Sequence, residues 1–234
     1  MRVYTLGFLL WLTATAAFSQ NNLLRTPAIN PQGDQVACSY QGDIWRMDIN
    51  GDNLRRLTIH EAYESNPIWS PNGQQIAFTG ARYGNNDVFS ILSNGGVPKR
   101  LTHHSSGDMA YGWSDDEILF TTRRAFRQVE WDAEVYAVSQ SGGTPSRVLN
   151  AVGDMPVASP NGRFIAFVRG ACRVAREQYR GPADNEIWLY DTESKAYVQL
   201  TDNEMNDYMP RWSDDNTLYY ISASTGRYNI VKQE

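Results

Sequence analysis

Residues 69–79 read WSPNGQQIAFT, and 89 positions later residues 158–168 read ASPNGRFIAFV. The shared Ser-Pro-Asn-Gly segment has the composition of a tight turn, because proline fixes φ and both asparagine and glycine tolerate unusual backbone conformations. The residues that follow each turn are short runs of β-branched, apolar and aromatic side chains. The phrase therefore predicts a strand, a tight turn and a second strand of an antiparallel sheet.

Weaker copies of this phrase recur along the chain. They are INPQGDQVACS at 29–39, WSDDEILFTTR at 113–123 and WSDDNTLYYIS at 212–222. The equivalent turn positions are Asn30, Ser70, Ser114, Ser159 and Ser213, which are separated by 40, 44, 45 and 54 residues. Similarity at a nearly fixed period of this size is the signature of a repeat architecture.

Each copy is followed by two further strand signals. An acidic or amide residue followed by apolar residues opens a third strand, at 43–45, 87–89, 134–136, 186–188 and, in weaker form, 229–231. Turn residues and a short closing strand come next, at 56–58, 100–102, 147–149 and 199–201. Four strands in about 40–45 residues is the spacing of a β-propeller blade. We therefore predict an all-β propeller with repeats near 29–58, 69–102, 112–150, 158–201 and 212–234.

These repeats resemble the PD40 class of WD40-like propeller repeats, which occur in TolB, in prolyl oligopeptidase-type enzymes and in the N-terminal propeller of tricorn proteases. In the fourth repeat, YRG at 179–181, EIWLYD at 186–191 and LTDN at 200–203 are similar to the tricorn pattern, as are Asn206-Asp207, Pro210 and Trp212. The resemblance covers residues 22–234. It implies a six-bladed propeller, of which about four and a half blades are present.

Composition fits a globular protein and excludes one class of partner. Hydrophobic residues make up 41% of the chain and aromatic residues 12%, which is enough for a buried core. The formal net charge is -5 and the sequence pI is about 5.3. Binding to nucleic acid requires a concentrated basic surface, so we expect no nucleic-acid partner.

The first residues have the features of an export signal. A basic start at Arg2 precedes an apolar stretch over 5–18, which ends in Ala17-Phe18-Ser19. A membrane anchor is the alternative, but a spanning helix requires about 20 apolar residues. We expect residues 1–19 to be a cleaved signal peptide, residues 20–234 to form the propeller, and the protein to be periplasmic or secreted without a stable membrane anchor. We expect such export to distinguish this chain from the cytosolic archaeal tricorn enzymes that it resembles.

No residue pattern predicts a metal or cofactor. Cys38 and Cys172 could pair, but they lie roughly three blades apart in the predicted ring, and a disulfide needs Cα atoms within about 7 Å. We expect instead that Cys38 is a small buried apolar residue and that Cys172 is a loop thiol. His60 and His104 occupy equivalent repeat positions, and His103 lies beside the second. Two loops with these ligands fall short of a zinc site. We therefore expect no metal and no other cofactor.

Catalytic residues are also not predicted. The string closest to a G-x-S-x-G nucleophile elbow, residues 112–116, lacks the second glycine and coincides with a blade turn. A nucleophilic serine needs a positioned base, and every histidine belongs to a repeat loop. In the tricorn family the serine peptidase core of the S41 class lies downstream with a PDZ domain, so the resemblance gives no catalytic residue to this chain.

The longest loops carry most of the candidate binding residues. Connections between second and third strands lengthen along the chain, and we expect them on the same face as the connections between blades. They carry Arg123, Arg124, Arg127, Arg173, Arg176 and Arg180. The interblade connections carry Glu61, Glu64, Asp108, Asp154, Asp202, Glu204 and Asp207. Either the two sets neutralise each other or the arginines bind an acidic peptide end.

The resemblance leads to one main functional hypothesis and two alternatives. The main hypothesis is the non-catalytic propeller of an exported tricorn-like serine protease, which would guide peptides to or from downstream protease domains in an oligomeric parent. The alternatives are a TolB-like periplasmic protein-binding propeller and the propeller of a prolyl oligopeptidase-type hydrolase. Residues 228–234 predict a third strand with no closing strand, so we expect the sequence to be an N-terminal fragment of a longer protein.

Overall fold

The computed structural model describes residues 23–125 and 133–234, which form five antiparallel sheets and contain no helix. The predicted signal peptide and Arg127 lie outside the described residues. No helix with the length and apolar character of a membrane span occurs in this part of the chain. The prediction of an all-β propeller is confirmed.

In the described residues, nineteen strands make up the five blades, and within each blade consecutive strands are neighbours. The first blade contains β1 (Arg25–Ile29), β2 (Gln35–Tyr40), β3 (Asp43–Asp48) and β4 (Arg55–Arg56). The second contains β5 (Glu64–Trp69), β6 (Gln75–Gly80), β7 (Asp87–Leu92) and β8 (Lys99–Arg100). The third contains β9 (Asp108–Ser114), β10 (Glu117–Thr122), β11 (Glu134–Ser139) and β12 (Ser146–Val152).

The fourth blade contains β13 (Asp154–Ala158), β14 (Phe164–Arg169), β15 (Glu186–Asp191) and β16 (Tyr197–Gln199). The fifth contains β17 (Asp207–Asp214), β18 (Thr217–Ser222) and β19 (Asn229–Gln233). The described residues thus form four four-stranded blades and a fifth blade of three strands, rather than four blades and half of a fifth. Each first strand begins four or five residues before the repeated phrase, because that phrase covers only the end of the strand.

The repeated turn forms as predicted. In the second blade the Ser70 hydroxyl donates to Asn72 Oδ1 over 2.8 Å and accepts the Gln75 backbone N–H over 2.9 Å. Gly73 takes a positive φ of 70°, a conformation that glycine adopts without a Cβ penalty. The fourth blade repeats this arrangement at residues 159–164.

Apolar side chains fill the space between successive blades in four clusters. The largest fully buried side chains come mainly from second and third strands and include Phe78, Phe89, Phe120 and Phe167. First strands of neighbouring blades contact one another, which places them innermost. Burial of apolar surface between blades is therefore the main source of stability in this fold.

The tryptophan of the repeated phrase connects blades directly. Trp69 Nε1 donates to the Ala28 carbonyl over 2.9 Å, and Trp113 Nε1 donates to the Ile68 carbonyl over 3.1 Å. Trp212 does the same to Val157 over 3.2 Å. Each indole thus packs between blades, with Trp212 less deeply buried than Trp69 and Trp113, and donates its one N–H to the preceding first strand.

Candidate functional site

One face of the propeller carries both the connections from second to third strands and the connections between blades, as predicted; we call it the loop face. At the start of each later blade, a backbone N–H donates to the carbonyl of the residue that precedes the third strand of the blade before it. The donor is the first residue of the blade or, in the fourth blade, the residue just before it. The pairs are Glu64 to Gly42, Asp108 to Asn86, Gly153 to Ala133 and Asp207 to Asn185, at 2.7–2.8 Å. This repeated hydrogen bond fixes each long loop against the next blade.

A first ion pair recurs at the start of the third strands. The acid that opens the strand is followed thirteen residues later by an arginine of the closing strand, in the pairs Asp43–Arg56, Asp87–Arg100 and Glu134–Arg147. The carboxylates are buried, with at most 1% of the side chain exposed. Charged groups at this depth require a partner, so the arginine makes the acid tolerable inside the blade.

A threonine completes the same unit in three blades. The hydroxyls of Thr58, Thr102 and Thr201 accept the backbone N–H of Ile44, Val88 and Ile187 over 2.9–3.0 Å. These N–H groups lie just after the acid that opens the third strand. The predicted acid, apolar and Arg-Leu-Thr signals are therefore parts of one hydrogen-bonded unit.

A second ion pair connects long loops with first strands. Arg82 Nε lies 2.6 Å from Glu64 Oε1, and Arg124 lies 2.7 Å from Asp108 Oδ2. Both carboxylates are fully buried. Each guanidinium also lies over an aromatic ring. The Cζ of Arg82 lies 5.2 Å from the ring centroid of Phe89, and the Cζ of Arg124 lies 5.2 Å from that of Phe120. These contacts are structural, because each guanidinium pairs with a buried carboxylate and lies over an aromatic ring of the protein itself.

The arginines and acids expected on this face thus divide into two groups. Glu64, Asp108 and Asp207 are buried, Asp154 is half-buried, and Arg124 pairs with Asp108. Exposed side chains are those of Arg123, Arg173, Arg176, Arg180, Glu61, Asp202 and Glu204. Sequence reasoning missed Arg82, although it stands two residues after a second strand, as Arg124 does.

The loop at 170–185 presents three of the exposed arginines, Arg173, Arg176 and Arg180. Arg176 stacks 4.5 Å from the ring of Tyr179, and Arg180 lies 3.7 Å from Glu204, with both charged groups mostly in solvent. Such an exposed pair contributes little to stability. An open cleft of about 330 Å³ lies here, lined by Arg180, Gly181, Asp184 and Glu204.

Buried amides hold the backbone of this loop against the fifth blade. Asn185 Nδ2 donates to the Cys172 carbonyl over 2.7 Å, and the Tyr208 hydroxyl donates to the same oxygen over 2.8 Å. Asn206 Nδ2 donates to the Arg176 carbonyl over 3.1 Å. The arginine side chains are therefore displayed from a fixed backbone, the usual arrangement of a binding loop.

A second open cleft, of about 530 Å³, lies beside the first blade. Its lining includes Arg25, Tyr40, His60, Glu61 and Tyr63. His60 Nδ1 accepts the backbone N–H of Ala62 over 2.9 Å, and His104 Nδ1 accepts that of Ser106 over 3.0 Å. The two equivalent histidines thus shape equivalent turns.

The remaining candidates for metal or thiol chemistry lie apart. Cys38 is fully buried, and burial raises the pKa of its thiol. Cys172 is partly exposed on the 170–185 loop, and both cysteines are free. Across residues 23–125 and 133–234, no group of three or more His, Cys, Asp or Glu side chains is placed to hold a metal ion.

Comparison with known proteins agrees with this architecture. Tricorn protease homolog 1 of Streptomyces coelicolor is 28% identical over 203 residues, which is 84% of this chain but 18% of that protein. The crystal structure of the tricorn protease superposes with a TM-score of 0.73 at 20% identity, over 90% of this chain and 21% of that one. A putative TolB from Agrobacterium tumefaciens gives a TM-score of 0.70 at 22% identity, over 86% and 70% of the two chains.

The chain spans less than a fifth of the length of its Streptomyces relative. The two structural likenesses establish the propeller fold. The model of the tricorn protease N-terminal β-propeller domain matches residues 21–233, almost the whole chain. This protein therefore belongs to the family of tricorn protease N-terminal β-propeller domains.

Proposed function

We propose that this chain is the non-catalytic propeller of an exported tricorn-like serine protease of the S41 class, and that its loop face guides peptides to or from a downstream proteolytic core. Family membership supports the connection with a protease. The proposed partners are peptides and the protease domains of the parent protein, which we propose to be oligomeric and periplasmic or secreted.

The observation that carries the guiding role is the construction of the 170–185 loop. Arg173, Arg176 and Arg180 are exposed, whereas the backbone that bears them is fixed by the amides of Asn185 and Asn206. A guanidinium pairs well with a carboxylate, the group at a peptide's C-terminus. Exposed arginines on a fixed loop would therefore attract peptide ends without holding them tightly.

Binding of a short fluorescent peptide tests this role. We expect fluorescence anisotropy to show weak, salt-sensitive binding of a peptide with a free C-terminal carboxylate and weaker binding of its amidated form. The triple variant Arg173→Gln, Arg176→Gln, Arg180→Gln should lose the difference. A charge-matched control, Arg55→Gln, Lys195→Gln, Lys232→Gln, should keep it. Equal binding of the two peptides to the unmodified chain would contradict the proposal.

The coding sequence beyond Glu234 tests the proposed parent. A PDZ domain followed by an S41 serine core supports the tricorn-like protease. A G-x-S-x-G hydrolase domain would instead support a prolyl oligopeptidase-type parent, and this outcome would overturn the proposed reaction class.

A TolB-like periplasmic binding propeller is the second candidate. The observation that favours it is the superposition on a putative TolB, which covers 70% of that shorter chain. In this case the partner would be a folded protein, and neither short peptide would bind.

A further inference from the structure

The junction between the fourth and fifth blades lacks both of the arginines that neutralise buried acids elsewhere. Thirteen residues after Glu186, where the first three blades place arginine, stands Gln199. Two residues after β18, where the second and third blades place Arg82 and Arg124, stands Ser224. Glu186 and Asp207 nevertheless occupy the same buried positions as the paired acids.

Asn203 bonds to both carboxyl groups. Its backbone N–H donates to Glu186 Oε1 over 3.1 Å, and its side-chain Nδ2 donates to Asp207 Oδ2 over 2.7 Å. The Thr201 hydroxyl also donates to Glu186. Asp207 is completely buried, and its Oδ1 has no hydrogen-bond partner among the described residues.

The charged and titratable groups around the pair do not compensate it. Asp184 adds a further negative charge, and Tyr220 contributes only a neutral hydroxyl. Among the nearby arginines, Arg169 lies over Trp188, Arg176 lies over Tyr179 and Arg180 lies beside Glu204. Arg211, on the same strand as Asp207, interacts with Tyr111. Within the described residues, no lysine or arginine nitrogen lies within 4 Å of either carboxylate.

Two buried carboxyl groups in this setting favour retention of a proton. Burial raises the pKa of Glu186 to about 7, with Asp207 and Asp184 adding to the rise against the hydrogen bonds from Thr201 and Asn203. Burial likewise raises the pKa of Asp207. The closed junction therefore favours a bound proton, and loss of that proton from Glu186 leaves a buried carboxylate that interacts unfavourably with Asp207.

The pair lies next in sequence to the residues that hold the 170–185 loop. Asn185 precedes Glu186 and Asn206 precedes Asp207, and the two amides bond to the Cys172 and Arg176 carbonyls. The Asp207 backbone N–H also donates to the Asn185 carbonyl over 2.7 Å. Repulsion between the carboxylates would therefore act directly on the hydrogen bonds that Asn185 and Asn206 make to the loop.

We propose that Glu186 and Asp207 form a proton-dependent clamp, which holds the arginine-bearing 170–185 loop against the fifth blade when a proton is bound and loosens it when the proton leaves. The clamp sets the attachment of the loop, whatever the loop binds. Opening of the loop should therefore increase as pH rises toward about 7 and level off above it, because the open loop loses the proton at a lower pH than the closed one.

Limited trypsin digestion of the full chain tests the clamp, because cleavage after Arg173, Arg176 or Arg180 requires local opening of the loop. The variant Gln199→Arg supplies the missing arginine. The ratio of loop cleavage in the unmodified chain to that in Gln199→Arg cancels the pH dependence of trypsin itself. We expect this ratio to rise about tenfold from about pH 6 to about pH 8. Over this range, the deprotonated fraction of a group with a pKa near 7 also rises about tenfold.

Two further variants keep the test decisive. Glu186→Gln removes the titrating carboxyl, so loop cleavage in this variant should not depend on proton release, as we also expect for Gln199→Arg. The test therefore does not rely on how well Gln199→Arg folds. Val198→Arg adds the same charge one position earlier on β16 and should leave the pH dependence intact. A ratio that stays constant across this pH range, or a loop whose cleavage responds to divalent cations instead of pH, would overturn the proposal.

Discussion

The guanidinium of Arg100 lies 2.8 Å from the carboxylate of Asp87, which is completely buried and thirteen residues earlier in the chain. Burial raises the pKa of Asp87, and Arg100 opposes that rise. Equivalent acid–arginine pairs lie in the first and third blades, between Asp43 and Arg56 and between Glu134 and Arg147. Its recurrence shows that a buried acid at this position is a feature of the blade itself.

Replacement of Arg100 by glutamine should reproduce in the second blade what the fourth blade has naturally. We expect the free energy of unfolding to fall by about 1–3 kcal/mol near neutral pH, because a buried carboxylate loses its partner. The pKa of Asp87 rises further in the folded state, so the loss should grow as pH increases above the unfolded pKa near 4. Urea denaturation at two pH values measures this loss. Arg55→Gln, which removes an exposed arginine from the closing strand of the first blade, should have no comparable effect.

Gly112 has no room for a side chain. A Cβ on this residue would lie 2.9 Å from the Pro156 carbonyl oxygen in the next first strand. Gly112→Ala should therefore destabilise the protein by about 1–3 kcal/mol, since backbone must move. Gly107→Ala is the control, because its Cβ would meet only Asn86 Cβ at 3.7 Å. Thermal unfolding of both variants distinguishes them, and equal melting temperatures would refute the close approach.

The indole of Trp113 contributes a hydrogen bond that phenylalanine cannot make. Trp113→Phe keeps an aromatic ring between the second and third blades but leaves the Ile68 carbonyl without its donor. We expect a loss of about 1–2 kcal/mol in the free energy of unfolding. Chemical denaturation measures it, and an unchanged midpoint would mean that water replaces the indole N–H.

Export should remove the first 19 residues. The basic start, apolar stretch and small residues before Gln20 predict cleavage after Ser19. N-terminal sequencing of the protein recovered from the periplasm or medium should therefore begin at Gln20. Recovery of an intact Met1 would contradict this localisation.

The purified chain should not hydrolyse peptides. No serine with a positioned base is predicted from the sequence, and both His60 and His104 use Nδ1 to shape turns. A serine-reactive fluorophosphonate probe should leave the protein unlabelled in mass spectrometry. Stoichiometric labelling of any serine would show a catalytic site in this chain.

The sequence by itself determined the repeat, its turns and the order of strands. Ser70-Pro71-Asn72-Gly73 specifies its turn by local chemistry, because proline, asparagine and glycine act through their own backbone preferences. The period of the copies then selects the propeller, since blades bury their faces only against further blades. These properties depend on neighbours in the chain and are therefore readable from it.

Tertiary structure decided which charges neutralise one another. From the sequence, arginines and acids on the loop face form two undivided sets, although the thirteen-residue spacing between Asp87 and Arg100 was already present in the repeats. Only packing separates Arg124, which is used by Asp108, from Arg180, which remains in solvent. Only packing brings Glu186 and Asp207 to the same junction between blades, where no lysine or arginine nitrogen of the described residues pairs with them. The depth of burial then sets the energetic cost of each charge.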